Sequence, residues 1–294
     1  MRVIETVDEM RAARCGWASE RVGLVPTMGY LHAGHLSLVE RARAENEQVV
    51  VSIFVNPTQF GPHEDLSRYP RDLPRDLAML EAAGVDVVFT PPVEQVYPAG
   101  FGTYVEPVGV LAERLEAATR PGHFRGVATV VTKLLLMVAP DQVYFGQKDA
   151  QQVAVIWRMV ADLNLPVAVR VLPTVREPDG LAMSSRNKYL GTEDRAAALV
   201  LNRALRAGMA AFERQPAGGV ADVIAAMAAV VAAEARAQLD YADVCDPATF
   251  APLTELHAPA LLAIAAKVGP ARLIDNVLLR ADDSWDTGVT VAQT

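Results

Sequence analysis

Cysteine is scarce in this chain, with only Cys15 and Cys245 among 294 residues. Two cysteines are too few for a disulfide framework, and their separation does not match the spacing of a metal-binding motif. Both are predicted to be small apolar side chains in a reduced state. The scarcity argues against a disulfide-rich secreted domain and favours a cytoplasmic location.

Long apolar runs are also missing. No stretch approaches the roughly 20 apolar residues that a membrane-spanning helix needs. The N-terminal sequence MRVIETVDEMRAA is typical of a strand and a helix start rather than of a signal peptide. The sequence therefore predicts a soluble protein with no membrane partner.

Positive charge is in deficit, because 27 Lys and Arg face 35 Asp and Glu, which gives a net charge of −8. The corresponding pI is near 5.2. Binding of a nucleic-acid backbone depends on clustered Lys and Arg, so no nucleic-acid partner is expected. Any anionic ligand must be bound by a few local groups.

Hydrophobic residues make up 51% of the chain, which is enough for a sizeable core. Between residues 22 and 172, apolar strand-like runs alternate with helix-periodic segments. This alternation predicts the α/β class and a Rossmann-like, doubly wound parallel sheet. Helices and short strands follow, including a predicted helix from Val220 to Leu239, and they indicate a smaller C-terminal α+β domain. The predicted limits are 1–176 for the larger domain, 177–280 for the smaller one and 281–294 for a disordered tail.

The segment LVPTMGYLHAGHLSLV, residues 24–39, ends a strand and places two histidines before a helix. His32 is predicted to lie just before the helix and His35 in its first turn. A helix start has unpaired backbone N–H groups and a partial positive charge, so this corner suits an anion such as phosphate. A bare H-x-G-H also fits an ordinary polar loop, and a zinc site would lack a nearby third ligand.

Three more polar segments carry groups suited to an anionic substrate. Asn56 and Gln59 follow the apolar strand QVVVSIFV at its carboxyl end, where open α/β sheets bind ligands. Lys148 follows another strand, and a point positive charge there suits phosphate or carboxylate. The run Ser184–Arg186 offers two hydroxyls and a guanidinium, which suit a triphosphate. Each residue alone is also typical of a solvated surface or, for the serines, of a helix N-cap.

Taken together, these segments resemble a known family. H-x-G-H after the first strand of such a sheet resembles the nucleotidyltransferase superfamily. The segments PTMGYLHAGHLSLV, FVNPTQF, RPGHFRGVATVVTKLL, FGQKDAQQ and PTVREPDGLAMSSRNKYL are similar, in order and spacing, to those of the pantothenate synthetase (pantoate–β-alanine ligase) family of coenzyme A biosynthesis. The resemblance covers essentially residues 1–280. It implies an ATP-dependent ligase that joins (R)-pantoate to β-alanine through a pantoyl adenylate, releasing AMP and pyrophosphate.

The resemblance also implies roles for individual residues. The implied catalytic set, with His35 as proton donor, is His32, His35, Lys148 and Arg186. The implied ATP-binding set is Met28, Gly29, Tyr30, Leu31, His32, Ala33, Gly34, His35, Gly146, Gln147, Lys148, Asp149, Val175, Met183, Ser184, Ser185 and Arg186. Gln59, Gln152 and Asn56 are expected to bind pantoate or β-alanine. ATP is a substrate accompanied by Mg²⁺, and Asp149 is the expected metal-side carboxylate.

Other positions are less closely tied to the family pattern. Gln147 stands where many members have Glu, so the role of its side chain is open. Arg120 and His123, in the long loop before residue 126, are expected only to support the site. Phe54 and Val131 are candidate apolar walls for the pantoate methyl groups, although plain core packing fits both residues better. The resemblance further implies a homodimer and a C-terminal domain that acts as a lid.

Two other functions fit part of the pattern. A different adenylyltransferase of the superfamily, acting on a phosphate-bearing substrate, would need more basic residues and would not explain Asn56 and Gln59. A nucleotide-sensing module would keep the fold without the chemistry. Loss of chemistry would be expected first at His35, Lys148 or Arg186, and all three are present.

Overall fold

The computed structural model describes residues 1–62, 64–215 and 217–291. Within it the chain forms two compact units. The first unit comprises Met1–Gly146 and Val155–Leu172, and the second comprises Gln147–Ala154 and Pro173–Thr294. The sequence-based boundary after residue 176 lies close to the break at 172. The membership of the short segment 147–154 in the second unit was not predicted.

Six strands form the sheet of the first unit: β1 (Arg2–Ile4), β2 (Val22–Thr27), β3 (Gln48–Ile53), β4 (Val87–Phe89), β5 (Gln142–Gly146) and β6 (Ala168–Leu172). All are parallel, in the order β1-β4-β3-β2-β5-β6. Val49, Val50 and Val51 are fully buried, as expected for a strand covered on both faces. The predicted α/β class with a doubly wound parallel sheet is confirmed.

The helices described in the first unit are α1 (Val7–Cys15), α2 (Ala33–Glu45), α3 (Leu73–Ala82), α4 (Val93–Val96), α5 (Glu116–Thr119) and α6 (His123–Val138). A further helix, α7 (Ala150–Asp162), begins in the second unit and ends in the first. The side chains of Thr6 and Asp72 cap α1 and α3 by accepting backbone N–H bonds, which is the usual role of these residue types at helix starts. The long loop predicted before residue 126 therefore contains the short helix α5, and α6 begins before the loop was expected to end.

The order of the strands reverses at β2. From β2 the chain adds β3 and β4 on one side, and later β5 and β6 on the other. β2 pairs with β3 along its whole length, but with β5 only at Gly23↔Gln142 and Leu24↔Val143. The carboxyl ends of β2 and β5 are thus not paired with each other. The place where the strand order reverses, called the topological switch point, is where open parallel sheets bind ligands.

The described part of the second unit contains an antiparallel sheet and helices. Its strands are β7 (Val175–Arg176), β8 (Ala237–Cys245), β9 (Ala260–Val268), β10 (Ala271–Leu279), β11 (Trp285–Asp286) and β12 (Val289–Thr290), and its helices are α8 (Thr192–Ala197), α9 (Val200–Glu213) and α10 (Val220–Ala232). The larger sheet has the order β11-β10-β9-β8, while β12 pairs with β7. Leu205 and Met227 pack with Leu262 in the core. The predicted α+β character of this region is confirmed.

The helix predicted over residues 220–239 is wrong at its end. α10 stops at Ala232, and β8 begins at Ala237. The intervening residues are mostly Ala, Glu and Arg, which favour helix locally. Backbone pairing of Ala237 with Val268 of β9 overrides that preference, and so distant a partner leaves no local signal.

The tail is built into the second unit as far as it is described. β11 pairs with β10, and β12 pairs with β7. Strand pairings of only two residues leave no periodic pattern in the sequence. The sequence therefore predicts a disordered tail from residue 281, although β11 and β12 form there. The last three residues of that prediction, 292–294, lie outside the described part of the chain.

Within the described ranges, no helix has the length and apolar character that crossing a membrane requires.

Candidate active site

The turn after β2 has an unusual backbone. Gly29 has φ of +80° and Tyr30 has φ of 52°, and the first value is one that glycine adopts without strain. A Cβ on Gly29 would also lie 3.0 Å from Ile53 Cγ2 and 3.1 Å from Asp76 Oδ2. The turn therefore requires glycine at this position, and it fixes the path of the chain into α2.

Asp76 of α3 holds this turn in place. Its carboxylate accepts hydrogen bonds from the backbone N–H groups of Tyr30 (2.6 Å) and Leu31 (2.8 Å), and the residue is only 1% exposed. Arg75 donates to the carbonyl of Leu31 (3.0 Å). Asp76 was not predicted as part of the site, because nothing in the local sequence marks an acid 45 residues along the chain as a partner of this turn.

His32 and His35 cap the start of α2 reciprocally. His32 is the N-cap residue, and its Nδ1 accepts from Gly34 N at 3.1 Å, while Nδ1 of His35 accepts from His32 N at 3.3 Å. The two rings lie 4.0 Å apart between centroids. The predicted placement of His32 before the helix and His35 in its first turn is confirmed.

This reciprocal cap fixes the tautomer of each neutral imidazole. An Nδ1 that accepts a backbone N–H cannot carry a hydrogen, so the ring proton lies on Nε2 as a donor. Two Nε2–H donors, together with the positive end of the α2 dipole, form a corner suited to a phosphate oxygen.

Asn56 is buried and anchors the loop after β3. Its Nδ2 donates to Gln59 Oε1 and to the carbonyl of Gly126, both at 3.1 Å, and its Oδ1 accepts from Tyr97 OH at 2.7 Å. Oδ1 also accepts from Thr58 N and Oγ1. The amide thus uses both its donors and its acceptor within the protein. Burial raises the pKa of Tyr97, which keeps that phenol protonated as a donor.

Gln59 is oriented by this anchor. Its Oε1 is bound by Asn56, so its Nε2 points the other way and lies 3.4 Å from Met28 Sδ. The structure thereby brings the loop after β3 against the loop after β2. Two segments that the sequence placed in one site are neighbours within the first unit.

Arg120 and His123 support the backbone of Gln59. His123 Nδ1 lies 2.9 Å from the carbonyl of Gln59, and its Nε2 lies 3.0 Å from Arg120 Nη1. A guanidinium only donates, so Nε2 accepts and the ring proton is on Nδ1, which donates to Gln59. Arg120 is fixed in turn by Glu64, with Nε–Oε1 and Nη2–Oε2 distances of 2.8 and 2.7 Å.

Burial, followed by the charge of Arg120, lowers the pKa of His123 to about 4. Unfolded histidine titrates near 6.5, so between those values only the unfolded state binds the proton. We expect the free energy of unfolding to fall as pH drops from 6.5 to 4, by roughly 3 kcal/mol from this group. Below the folded pKa the loss stops growing.

Urea unfolding of the wild type and His123→Asn across pH 4–7.5 measures this effect. Asn offers a donor near the position of Nδ1 but does not titrate, so the variant should lose less stability on acidification. If the free energy of unfolding fell equally with pH in both proteins, His123 would not be the group responsible for the loss of stability.

Gly126 allows α6 to approach this loop closely. A Cβ at this position would lie 2.4 Å from Thr58 O and 2.6 Å from Gln59 N, which is closer than atoms tolerate. Gly126, the second glycine of the RPGHFRG segment, thus allows α6 to pack closely against the backbone of the loop that contains Gln59.

A cavity of about 300 Å³ opens at the carboxyl ends of β3 and β4. Met28 and Gly29 form one wall, and Phe54 and Val55 are part of the largely apolar lining. Phe54, predicted as an apolar wall, thus lines a cavity beside the turn after β2.

In the second unit, Lys148 lies in a 3₁₀ turn, Gln147–Asp149, directly after the end of β5. Its Nζ is 3.8 Å from Asp149 Oδ1, and the backbone of the turn is bound by Asn276 of β10. Gln152 follows in the first turn of α7 and is half-buried.

The Ser184–Arg186 run also belongs to the second unit. Ser184 caps a 3₁₀ turn, Ser185–Tyr189, by accepting from Arg186 N at 3.2 Å, and Met183 N donates to Val175 O at 2.9 Å. Ser184 and Lys148 line the same small crevice. The N-cap role of Ser184 considered from the sequence is confirmed, and it places the serine in the same unit as the lysine.

The predicted site residues therefore fall into two groups. The first unit contains Met28 to His35, Asn56, Gln59 and Gly146, and the second contains Gln147 to Asp149, Gln152, Val175 and Met183 to Arg186. Across the ranges 1–62, 64–215 and 217–291, no group of three or more His, Cys, Asp or Glu side chains is arranged to hold a metal ion. A metal that arrives with a nucleotide would have to take most of its ligands from phosphates and water, beside one half-exposed carboxylate such as Asp149.

Comparison with protein families finds a match to the model described as Pantoate-beta-alanine ligase, over residues 2–278. A pantothenate synthetase of Roseiflexus castenholzii is 60% identical, over 96% of this chain and 100% of its own length. The equivalent protein of Herpetosiphon aurantiacus is 56% identical, over 95% of this chain and 100% of its own.

Two solved structures are also similar. The crystal structure of pantothenate synthetase from Thermus thermophilus has a TM-score of 0.89 and 53% identity, covering 94% of this chain and 98% of that one. The pantoate-beta-alanine ligase of Francisella tularensis, complexed with beta-gamma ATP and beta-alanine, has a TM-score of 0.78 and 35% identity, covering 95% and 97%.

Proposed function

This chain belongs to the pantoate-beta-alanine ligase family, and on that premise we propose how its residues carry out the ATP-dependent ligation of pantoate with β-alanine. Membership over residues 2–278 is the observation that carries the proposal. Neither alternative weighed from the sequence, a different adenylyltransferase or a nucleotide sensor, gains support from these relatives.

In the first step, a pantoate carboxylate oxygen attacks the α-phosphorus of ATP, and the bond to the β-phosphate oxygen breaks. Negative charge builds on the transferred phosphate and on the leaving pyrophosphate. Fixed donors aimed at such charge are the largest catalytic effect open to a protein. The Nε2–H groups of His32 and His35 are donors of this kind, since the reciprocal cap holds both rings at the start of α2.

Positive charge for the triphosphate comes from Lys148 and Arg186 in this proposal. Lys148 has a point charge, whereas the guanidinium of Arg186 offers a planar set of donors. Ser184 and Ser185 add hydroxyls, and the backbone around Val175 and Met183 lies on the adenine side. Mg²⁺ would reach the site with ATP and neutralise phosphate charge, with Asp149 as its protein carboxylate.

In the second step, the amine of β-alanine attacks the acyl carbon of the pantoyl adenylate, loses a proton, and displaces AMP. We assign Gln59 and Gln152 to the small substrates, because an amide both donates and accepts, as a hydroxy acid requires. Asn56 has its hydrogen-bonding groups engaged within the protein, which supports a role in orienting Gln59 rather than in direct binding.

Omission of single substrates tests the proposed function directly. With ATP and pantoate alone, pyrophosphate should form in an amount limited by the enzyme. With β-alanine added, AMP and pantothenate should accumulate in equal amounts. Turnover without pantoate, or with a phosphorylated substrate in its place, would contradict the proposal.

Gln59→Ala should weaken the binding of pantoate more than the binding of ATP, because the removed amide is the one assigned to the small substrates. We expect the KM for pantoate to rise about tenfold, as for the loss of one buried hydrogen bond to a polar substrate. Gln238→Ala, on β8 of the second unit, is the matched control for loss of an amide. Equal losses for pantoate and ATP would remove Gln59 from the specificity argument.

A homodimer and a cytoplasmic location are further proposals that rest on the resemblance. Light scattering should give about twice the chain mass of 31.6 kDa. Cys15 is exposed and Cys245 is buried, and both are thiols, which is compatible with a reducing compartment.

A further inference from the structure

Asn276 of β10 binds the backbone of the turn that contains Lys148. Its Nδ2 donates to the carbonyl of Gln147 at 3.1 Å and to that of Lys148 at 2.9 Å. The residue is only 5% exposed. Both amide hydrogens are therefore used to hold this turn.

Gln147 completes this contact. Because Nδ2 of Asn276 faces two carbonyls, its Oδ1 must be the atom that faces Gln147. Nε2 of Gln147 donates to that oxygen at 3.3 Å. A glutamate at position 147 would instead place a carboxylate oxygen against Oδ1, with no hydrogen between them. The amide of Gln147 therefore supplies the hydrogen that this contact with Asn276 needs.

A buried ion pair fixes Asn276 itself. Asp275, the residue before Asn276, pairs with Arg176 through Nη1–Oδ2 and Nη2–Oδ1 distances of 2.7 and 2.9 Å. Arg176 is 4% exposed and Asp275 is 3% exposed. Asp275 Oδ1 accepts from Asn276 N at 2.8 Å, and Arg176 Nη2 lies 3.3 Å from Asn276 O. The backbone of Asn276 is thus bound on both its N–H and its carbonyl by this pair.

The tail reaches the same ion pair. Nε of Arg176 donates to the backbone carbonyl of Thr287, which lies just before β12. Gly288 has φ of +87°, and a Cβ there would lie 2.2 Å from Thr174 O. Docking of the tail therefore requires glycine at this position. The match to the family model ends at residue 278, before this segment.

We propose that Asn276 is a positioning residue for Lys148, and that the tail supports it through Arg176 and Asp275. Asn276 holds the two carbonyls of the turn, which sets the direction in which the lysine leaves the backbone. The proposal rests on the function assigned to Lys148 above.

A double-mutant cycle of Asn276→Ala and Lys148→Ala tests the proposal and separates it from that function. We expect Asn276→Ala alone to lower kcat/KM for ATP about tenfold with little change in KM for β-alanine, and to have an effect below about twofold when Lys148 is already Ala. Additive losses would overturn the positioning role. Normal activity of Lys148→Ala would instead overturn the function of Lys148.

Two milder variants keep the test decisive if Asn276→Ala folds poorly. Gln147→Glu should reproduce the loss in kcat/KM for ATP while thermal melting stays near that of the wild type. Gly288→Ala should give a smaller loss of the same kind. Val289→Ala, at the next position, which is exposed and begins β12, should be neutral. Wild-type kinetics in Gln147→Glu would overturn the contact with Asn276, and wild-type kinetics in Gly288→Ala would overturn the role of the tail.

Discussion

His35→Ala is expected to lower the rate of pyrophosphate release by about 10²- to 10³-fold, the loss measured when one fixed donor to a developing oxyanion is removed. The substitution removes the Nε2–H donor of His35, which carries the ring proton because Nδ1 accepts from His32 N. ATP–pyrophosphate exchange isolates this step from the later attack by β-alanine. His257→Ala, at an exposed position outside the site, is the matched control for loss of an imidazole.

Two further substitutions separate the donor from the cap. Asn at position 35 can accept from His32 N near the position of Nδ1, so His35→Asn should melt like the wild type and be nearly as inactive as His35→Ala. Gln reaches the position of Nε2 with a donor, so His35→Gln should recover part of the rate. If the activity of the three variants followed their melting temperatures, the loss would be structural and the donor role would be wrong.

Lys148→Ala is expected to slow adenylation by a comparable factor, about 10²-fold or more. The lysine side chain is only 19% exposed, and a charge sheltered from water acts on phosphate more strongly than a solvated one. Lys148→Arg keeps the charge but changes its shape, so it should restore only part of the rate.

Lys267→Ala is the matched control, because it removes the same charge at an exposed position on β9. The loss in Lys148→Ala should appear in ATP–pyrophosphate exchange as well as in overall turnover. A loss confined to the β-alanine step, with normal exchange, would move Lys148 to the second half of the reaction.

The part of the site that sequence predicts best is the corner at the start of α2. An apolar strand, a Pro-Thr-Met-Gly turn and a helix-periodic run lie within one continuous segment, so the placement of His32 and His35 depends only on local rules. Their reciprocal cap has the spacing of a capping box, in which the N-cap and N3 side chains bind each other's backbone. That spacing is readable in the sequence once histidine is considered as a cap.

The residues that hold the site were harder to predict. Asp76 and Asn276 bind turns that lie 45 and 128 residues away along the chain. Neither has a periodic or motif signature, because the side chain of each binds the backbone of a distant segment. Asp76 looks like an acid in the first turn of a helix, and Asn276 like a polar residue in a strand.

The roles of the loop residues stay predictions, while the structure shows which groups each of them contacts. Arg120 and His123 were expected to support the site, and they bind the carbonyl of Gln59. Asn56 is expected to bind substrate, and in the structure it contacts Gln59, Gly126, Tyr97 and Thr58. The sequence shows that an amide is present in such a loop, but only the structure shows which groups its donors and its acceptor already bind.

The interleaving of the two units has a practical consequence for protein engineering. Because Gln147–Ala154 belongs to the second unit while Val155–Leu172 returns to the first, neither unit is a contiguous gene fragment. A stop codon after Leu172 would leave the Lys148 turn in the product without Asn276. Split reporters or domain swaps made by a single cut would therefore separate the lysine from the strand that orients it.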